Sequence, residues 1–192
     1  IAGSVAATLT LSQPVAAGRY WVRVANVVGT ANSAATLVLP WTVVNPGLGS
    51  TSLYQASYAN GRYFVGTLGS GGAVSIDGIN WSASGVASGR VAYGKGVYVS
   101  GGGSTVSNIY HSSDGIHWNE TNSGQENAII TRVLFDGTRF VAVGDRGAIS
   151  TSLNGVNWTV AFSAPFSSLT DLAIGSGVRV AVGYFGNIVV SA

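Results

Sequence analysis

Three stretches of this sequence repeat one pattern, Ser-x-(Asp/Asn)-Gly-x-x-Trp, which we call the box. Box 1 is Ser75-Ile-Asp77-Gly78-Ile-Asn-Trp81, box 2 is Ser112-Ser-Asp114-Gly115-Ile-His-Trp118, and box 3 is Ser152-Leu-Asn154-Gly155-Val-Asn-Trp158. The tryptophans lie 37 and then 40 residues apart. A fixed period of this length is typical of proteins built from repeated supersecondary units. The boxes therefore predict a repeat architecture.

A glycine-containing hairpin precedes every box, and one more follows box 3. Asn60-Gly61 and Asp136-Gly137 lie between alternating apolar residues, which is a strong hairpin signal. A Gly-containing connector, a third strand, the box and a fourth strand beginning at the Trp complete each unit. Four short antiparallel strands in about 40 residues are the plan of a β-propeller blade. We predict an all-β chain with about four such blades in residues 40–192.

The two ends of the repeat region do not match each other. The fourth unit stops at Ser191-Ala192, where a box would begin, whereas Pro40-Trp41-Thr42-Val43-Val44 resembles a fourth strand without its box. Trp41 lies 40 residues before Trp81, in phase with the other tryptophans. We expect strand 41–44 to complete the last blade and remove an exposed sheet edge, or the last blade to be truncated. The units either close as a four-bladed ring or begin a larger propeller.

The composition excludes several classes of function. Only 8% of the residues are charged, and the 9 basic ones are dispersed rather than clustered, so we expect no nucleic-acid partner. The chain has no cysteine, which excludes disulfides and thiol chemistry. No apolar run reaches the roughly 18 residues of a membrane span. Because the chain also contains no methionine, we expect it to be a piece of a longer precursor.

The box has a simple interpretation as a turn. An Asp or Asn before Gly accepts hydrogen bonds from backbone amides just ahead of it, the Gly takes the positive φ, and the Trp packs between sheets. Asn154 replaces the acid in box 3, a change that a catalytic carboxylate would not tolerate. We therefore assign structural roles to the box residues: Ser75, Asp77, Gly78, Trp81, Ser112, Asp114, Gly115, Trp118, Ser152, Asn154, Gly155 and Trp158.

These copies resemble the Asp-box (BNR-like) repeats of sialidases, sortilin-type receptors and the photosystem II assembly-factor family. The stretch from Val141 to Trp158 is especially similar to the last group and to secreted bacterial propellers, and the resemblance covers residues 41–192. It implies a propeller whose boxes lie on the outer rim, away from the ligand site. A sialidase would also be expected to carry an Arg triad and an Arg-Ile-Pro-type motif. That motif is missing, so the resemblance does not carry activity over.

Residues 1–39 follow a different pattern. Strands are predicted at 7–11, 17–29 and 33–39, and the segment is similar to the last strands of a bacterial immunoglobulin-like domain. Gly18-x-Tyr20 matches its tyrosine corner, and Val22 stands where its disulfide Cys would be. Either the chain is a fragment or a partner supplies the missing strands. Alternatively, the segment adds a sheet to the propeller or forms a plain three-stranded meander.

The acids and histidines do not form a recognisable active site. Outside the boxes and the turn residue Asp136, only Glu120, Glu126, Asp145 and Asp171 remain, and no glycosidase-type carboxylate pair can be nominated among them. His111 and His117 flank box 2 without acids at ligand spacing. We therefore predict no catalytic residue, no metal and no cofactor.

The connectors between the second and third strands are the better candidates for binding. Asp145-Arg146 in unit three and Tyr184-Phe185 in unit four occupy equivalent positions at loop tips, and aromatic and Arg side chains are common binding anchors. We predict a non-enzymatic binding, adhesion or structural module of a larger protein, secreted or on a bacterial surface, whose partner is a glycan or a surface protein. Self-association would complete the last blade or the immunoglobulin-like segment. The alternatives are a fragment of a sialidase-like glycoside hydrolase and an assembly-factor-type protein-binding propeller.

Overall fold

The chain divides into two compact units in this computed structural model, Ile1–Val44 and Asn45–Ala192. The sequence predicts the boundary after residue 39. The structure describes residues 43–67, 71–85, 89–102, 108–163 and 168–191, and the backbone of four strands in the first unit. The predicted strand at 7–11, Trp41 and the side chain of Tyr20 lie outside the described residues. Val43 and Val44 are described but lie outside any strand.

The described strands of the first unit form two short antiparallel ladders. Strand β1 (Gly18–Tyr20) pairs with β4 (Thr36–Val38), and β2 (Arg23–Asn26) pairs with β3 (Gly29–Asn32). Asn26 pairs with Gly29, so the chain has already reversed before Gly29. The predicted strand at 17–29 was therefore too long at its C-terminal end, because apolar Val27-Val28 carries none of the usual turn residues. The immunoglobulin-like assignment stays a prediction.

The second unit consists of four consecutive antiparallel sheets, which confirms the predicted all-β class and the plan of about four blades. Each sheet follows chain order, and the first strands of successive blades contact each other, which makes the first strand the inner one and the last strand the outer one. Blade 1 is β5 (Leu53–Ala59), β6 (Arg62–Thr67), β7 (Gly72–Ser75) and β8 (Ser82–Ser84); blade 2 is β9 (Val91–Gly94), β10 (Val97–Gly101), β11 (Asn108–Ser112) and β12 (Asn119–Asn122); blade 3 is β13 (Ile130–Phe135), β14 (Phe140–Gly144), β15 (Ile149–Ser152) and β16 (Thr159–Phe162); blade 4 is β17 (Leu169–Gly175), β18 (Val178–Gly183) and β19 (Ile188–Ser191).

The first hairpins of blades 1, 2 and 4 each have two turn residues with left-handed backbone, whereas that of blade 3 has only Gly137, at φ 96°. Asn60-Gly61 has φ values of 44° and 76°, and Lys95-Gly96 has 50° and 81°. Positive φ at both central positions is the two-residue turn that matches the twist of antiparallel strands. The turns and the boxes lie on one side of the blades, which we call the box face. The connections between second and third strands and between successive blades lie on the opposite side, the connector face.

The core lies between successive blades. We call the side of a blade that points to the preceding blade its leading face, and the other side its trailing face. Three clusters fill the contacts between blades 1 and 2, 2 and 3, and 3 and 4. Between blades 1 and 2, Ala59, Phe64 and Val74 of the trailing face meet Val91 and Tyr98 of the leading face. Between blades 2 and 3, Ala92, Val99 and Ile109 meet Val133, Phe140 and Ala142. Between blades 3 and 4, Val141 and Val143 meet Leu172 and Ala181.

Polar contacts at the box face also join neighbouring blades. The Asn60 amide donates to the Tyr98 hydroxyl at 3.0 Å, which joins blade 1 to blade 2. In the last contact, the Arg179 guanidinium donates from both Nε and Nη2 to Asp136 Oδ2. Tyr98 and Arg179 occupy equivalent positions, because each pairs across its hairpin with the second-last residue of the first strand. An aromatic hydroxyl in one blade is thus replaced by a charged pair in another.

Candidate functional site

Each box is closed by hydrogen bonds within itself. In box 1, Ser75 Oγ accepts from the backbone amides of Asp77 and Gly78 at 3.2 and 2.8 Å. Asp77 Oδ1 in turn accepts from the amides of Ile79 and Asn80 at 2.9 and 2.8 Å, and Oδ2 accepts from the Asn80 side chain. These hydrogen bonds hold the pKa of the Asp77 carboxyl far below its usual range, with the Asn80 side chain making the largest contribution. Both carboxylate oxygens therefore stabilise the turn.

Box 2 repeats the backbone contacts of box 1 and differs in the contacts of two side-chain rings. The His117 ring lies 2.7 Å from Asp114 Oδ2 and is the main cause of the lowered pKa of Asp114. The Trp118 indole donates to Ser84 Oγ of the preceding blade at 2.9 Å. The contact between His117 and Asp114 was not predicted from the sequence, although their spacing matches that of Asn80 and Asp77.

Box 3 makes the same backbone contacts without a charge. Asn154 Oδ1 accepts from the amides of Val156 and Asn157 at 3.0 and 2.8 Å, as Asp77 does in box 1. Trp158 packs against the cluster between blades 2 and 3, with its ring 6.5 Å from that of Phe140. All three boxes have the same turn geometry, and the tryptophans of boxes 2 and 3 pack between blades.

The predicted binding residue Arg146 lies at the tip of a tight turn on the connector face. Its φ and ψ are 56° and 25°, Gly147 follows at φ 68°, and the Ala148 amide donates to the Asp145 carbonyl at 3.1 Å. This turn type usually has Asn or Gly where Arg146 stands. Asp145 fastens the turn, because its Oδ1 accepts from the Ile129 amide at 2.5 Å. The Arg146 side chain is left exposed to solvent.

Tyr184 and Phe185 form the same turn in blade 4. Phe185 has φ and ψ of 58° and 28°, the values of Arg146 to within a few degrees. The Tyr184 amide donates to the Ser168 carbonyl at 3.1 Å, just as Asp145 is bound to Ile129. The Phe185 side chain is 95% exposed and that of Tyr184 is 62% exposed. The four predicted residues therefore lie in two equivalent turns of adjacent blades, on the same face.

A charged cluster on the inner strands was missed by the sequence analysis. Asp171 Oδ1 lies 3.2 Å from Arg132 Nε and 3.6 Å from Arg90 Nη1, so three blades meet at one carboxylate. Burial and then the neighbouring Arg90 lower the pKa of Arg132, while Asp171 opposes this shift. Gln55 occupies the equivalent position of blade 1, because it pairs with Gly66 across the first hairpin as Arg132 pairs with Val143 and Asp171 with Val182. An alignment of the first strands of the four blades would have shown that these four residues share one position.

A cavity of about 350 Å³ lies between the outer parts of blades 3 and 4. Its lining includes Val141, Phe162, Val189 and Arg179. Arg179 is the counterpart of Phe140, which Trp158 contacts in the preceding blade pair. The cavity therefore lies where a box tryptophan lies in the other contacts. Of the strand 41–44 predicted to complete this blade, Val43 and Val44 lie outside any strand, and Trp41 and Thr42 lie outside the described residues.

Within the described part of the chain, no three His, Cys, Asp or Glu side chains come together as ligands of a metal ion. No helix among the described residues is long and apolar enough to cross a membrane.

Solved structures share the fold of this chain. The computationally designed Ika4 protein superposes with a TM-score of 0.58 at 14% identity, covering 80% of this chain and 98% of that one. BamB from Moraxella catarrhalis, a β-propeller protein, superposes with a TM-score of 0.55 at 11% identity over 70% of this chain. The chain spans only 41% of BamB. No protein-family model and no curated protein sequence matches the chain. The likeness confirms the predicted β-propeller fold.

Proposed function

We propose that this chain is a non-enzymatic propeller that binds a protein partner through the connector face. One observation carries the proposal: two equivalent turns hold Arg146 and Phe185 in left-handed backbone and expose both side chains. For a residue with a Cβ this conformation costs roughly 1 kcal/mol, and Asn or Gly would relieve much of it. Lys95 and Ser176 share this backbone on the box face, so what distinguishes Arg146 and Phe185 is that their exposed turns lie in equivalent positions of adjacent blades on the connector face.

The chemistry of the two turns favours a protein over other partners. Arg, Tyr and Phe are enriched at the centres of protein interfaces, where a few such residues supply most of the affinity. The rigid backbone of the turns limits the ordering that binding would otherwise cost. BamB shares the fold of this chain at 11% identity, and a shared propeller fold does not by itself specify a function, so the proposal depends on the two turns.

The turns allow an experiment that separates binding from folding. Peptides selected from a displayed random library on the wild-type chain are the probe. Arg146→Asn and Phe185→Asn each install the residue that this turn prefers, so both variants should fold at least as well as the wild type. We expect each to weaken the selected peptides at least about tenfold, which corresponds to about 1.4 kcal/mol.

Lys95→Asn is the matched control, because Lys95 occupies the same turn type on the box face, at φ 50°. It should leave peptide affinity unchanged. If the selected peptides still bound both connector-face variants but no longer bound Lys95→Asn, the binding surface would lie on the box face and the proposal would be overturned.

The non-enzymatic part of the proposal has its own test. The Asp77 and Asp114 carboxylates are occupied by turn hydrogen bonds, which leaves them poorly suited to proton transfer. We expect no release of sugar when the chain is incubated with sialosides and other aryl glycosides. Turnover that disappears with Asp171→Asn or Glu120→Gln would instead favour the glycoside hydrolase.

A location outside the cell or on its surface is also part of the proposal. The low charge of 8% and the 28 glycines, together with many Ser and Thr residues, suit an extracellular repeat module. Protease shaving of intact cells that express the native protein should remove it. Its recovery only after lysis would contradict this location.

A further inference from the structure

Two sheet faces of the propeller unit are apolar and exposed. The leading face of blade 1 carries Tyr58, Tyr63 and Trp81, and Tyr58 is 63% exposed. The trailing face of blade 4 carries Val182, Ile188 and Val190, and Ile188 is 66% exposed. Contiguous exposed apolar faces usually mark sites of association. We call these surfaces the two end faces.

The end face of blade 1 is built like the buried leading faces of blades 2 and 3. Its Tyr58 and Tyr63 rings lie 4.7 Å apart across the hairpin. The equivalent pairs, Tyr93 with Tyr98 and Phe135 with Phe140, have ring separations of 4.6 and 4.9 Å. Those pairs pack against the blade that precedes them. Blade 1 therefore exposes an aromatic pair whose counterparts in blades 2 and 3 pack against a neighbouring blade.

The end face of blade 4 is built like the trailing faces that receive such aromatic pairs. In blade 2, Phe135 lies so close over Gly94 that a Cβ there would be 2.4 Å from its ring. Gly175 is the equivalent glycine of blade 4, because Gly94 pairs with Val97 and Gly175 pairs with Val178. Nothing lies within 4 Å of a Cβ at Gly175. No ring lies over Gly175 as Phe135 lies over Gly94, and Tyr58 is the exposed counterpart of Phe135.

We propose that a second copy of this chain covers both end faces, with Tyr58 of each copy packed over Gly175 of the other. The two faces of one copy do not meet each other in the structure, since both are exposed. Contacts between unlike faces either close into a ring or extend into a filament. Two copies of four blades give eight, within the usual range of four to about eight for propellers, whereas three copies would exceed it.

The test uses substitutions that the single chain should tolerate. Gly175 has open space around it and no left-handed φ, so Gly175→Lys should leave the fold of one copy unchanged. Tyr58→Glu alters a side chain that is mostly exposed. By sedimentation, the wild type should have about twice the 19.5 kDa of one chain, and each variant should weaken this dimer at least about thirtyfold. Glu120→Lys, on the outer strand of blade 2, should leave the dimer intact.

The double variant Tyr58→Glu with Gly175→Lys tests the head-to-tail arrangement itself. Across each contact it places a carboxylate of one copy opposite an ammonium of the other, so we expect much of the dimer to return at low salt. A dimer joined through like faces would instead bring equal charges together and stay dissociated.

Three results would overturn the proposal. The first is a wild-type chain that remains at 19.5 kDa at high concentration, as it would if residues 1–44 or its own blade 4 covered the end faces. The second is a dimer that persists in both single variants. The third is an assembly that grows beyond two copies. Thermal unfolding of every variant shows that each one is folded.

Discussion

The leading faces of blades 3 and 1 have similar chemistry but different surroundings. In blade 3, Phe140 is fully buried and packs with Phe135 and Trp158 against blade 2. In blade 1, its counterpart Tyr63 is 42% exposed beside Tyr58. The contrast teaches that burial in this fold comes from the neighbouring blade rather than from the blade itself. Most of the stabilisation should therefore depend on blade-to-blade contacts, as in other repeat proteins.

The largest difference is expected at the aromatic position of the hairpin. Phe140→Ala should lower the free energy of unfolding by about 3–5 kcal/mol, because it opens a cavity between two blades. Tyr63→Ala should cost about 1 kcal/mol or less, because its side chain is partly solvated. Urea denaturation of both variants in the Gly175→Lys background measures the difference without a contribution from self-association. Equal losses in the free energy of unfolding for the two variants would contradict the conclusion that Phe140 gains its burial from the neighbouring blade and Tyr63 does not.

The glycines of the boxes give the next largest contrast. At Gly155 of box 3, a Cβ would lie 2.7 Å from Cγ2 of Val99 in blade 2, whereas at Gly78 of box 1 its nearest neighbour is 3.8 Å away. Both have φ near 75°. Gly78→Ala should cost about 1 kcal/mol for its backbone alone, and Gly155→Ala about 2–4 kcal/mol through added overpacking. Denaturation midpoints in the same background check the order, and a larger loss at Gly78 would contradict it.

The trailing faces offer an identical substitution in two surroundings. Val143 is fully buried between blades 3 and 4, and its counterpart Val182 is 39% exposed on the end face. Val143→Ala should cost about 2 kcal/mol and Val182→Ala less than about 1 kcal/mol, since burial sets the value of each methyl group. If unfolding of the monomeric variants gave similar losses, the trailing face of blade 4 would have to be covered by other residues.

The smallest expected effect is on the pH dependence of stability, which should differ between the boxes with Asp and the box with Asn. The folded-state pKa of Asp114 lies below its ordinary value of 3.8, so its contribution to stability is present above about pH 4 and is lost as the pH falls through the folded-state pKa. Asn154 makes the same backbone contacts without titrating. Asp114→Asn should therefore reduce the loss of stability between neutral and strongly acidic pH. The Ser113→Asn variant, a change at an exposed neighbour, should not alter the acid dependence.

The sequence predicts the local parts of this fold well, because they depend on local chemistry. Asn60-Gly61 marks a hairpin, and Asp77 binds amides only two and three residues ahead of it. The equivalence of Arg146 and Phe185 also follows from their spacing after the second strand. Their left-handed backbone does not, because Arg and Phe are not typical residues for such a turn.

The long-range features require the structure. The meeting of Arg90, Arg132 and Asp171 depends on how three inner strands converge, which no single stretch of sequence specifies. The pairing of Asn26 with Gly29 also required the structure, because the sequence pattern predicts one strand over 17–29. Likewise, Tyr58 and Tyr93 look alike in sequence, and only the presence or absence of a neighbouring blade gives them different surroundings.

Disulfide trapping tests most directly whether the two end faces are halves of one blade contact. The chain has no cysteine, so single variants Tyr58→Cys and Gly175→Cys can be mixed and oxidised in a clean background. A disulfide requires the two Cα atoms to approach within about 7 Å. We predict that the mixture yields a covalent dimer of one Tyr58→Cys and one Gly175→Cys chain, while neither variant alone does so efficiently. Cross-linking no better in the mixture than in either variant alone would contradict the account.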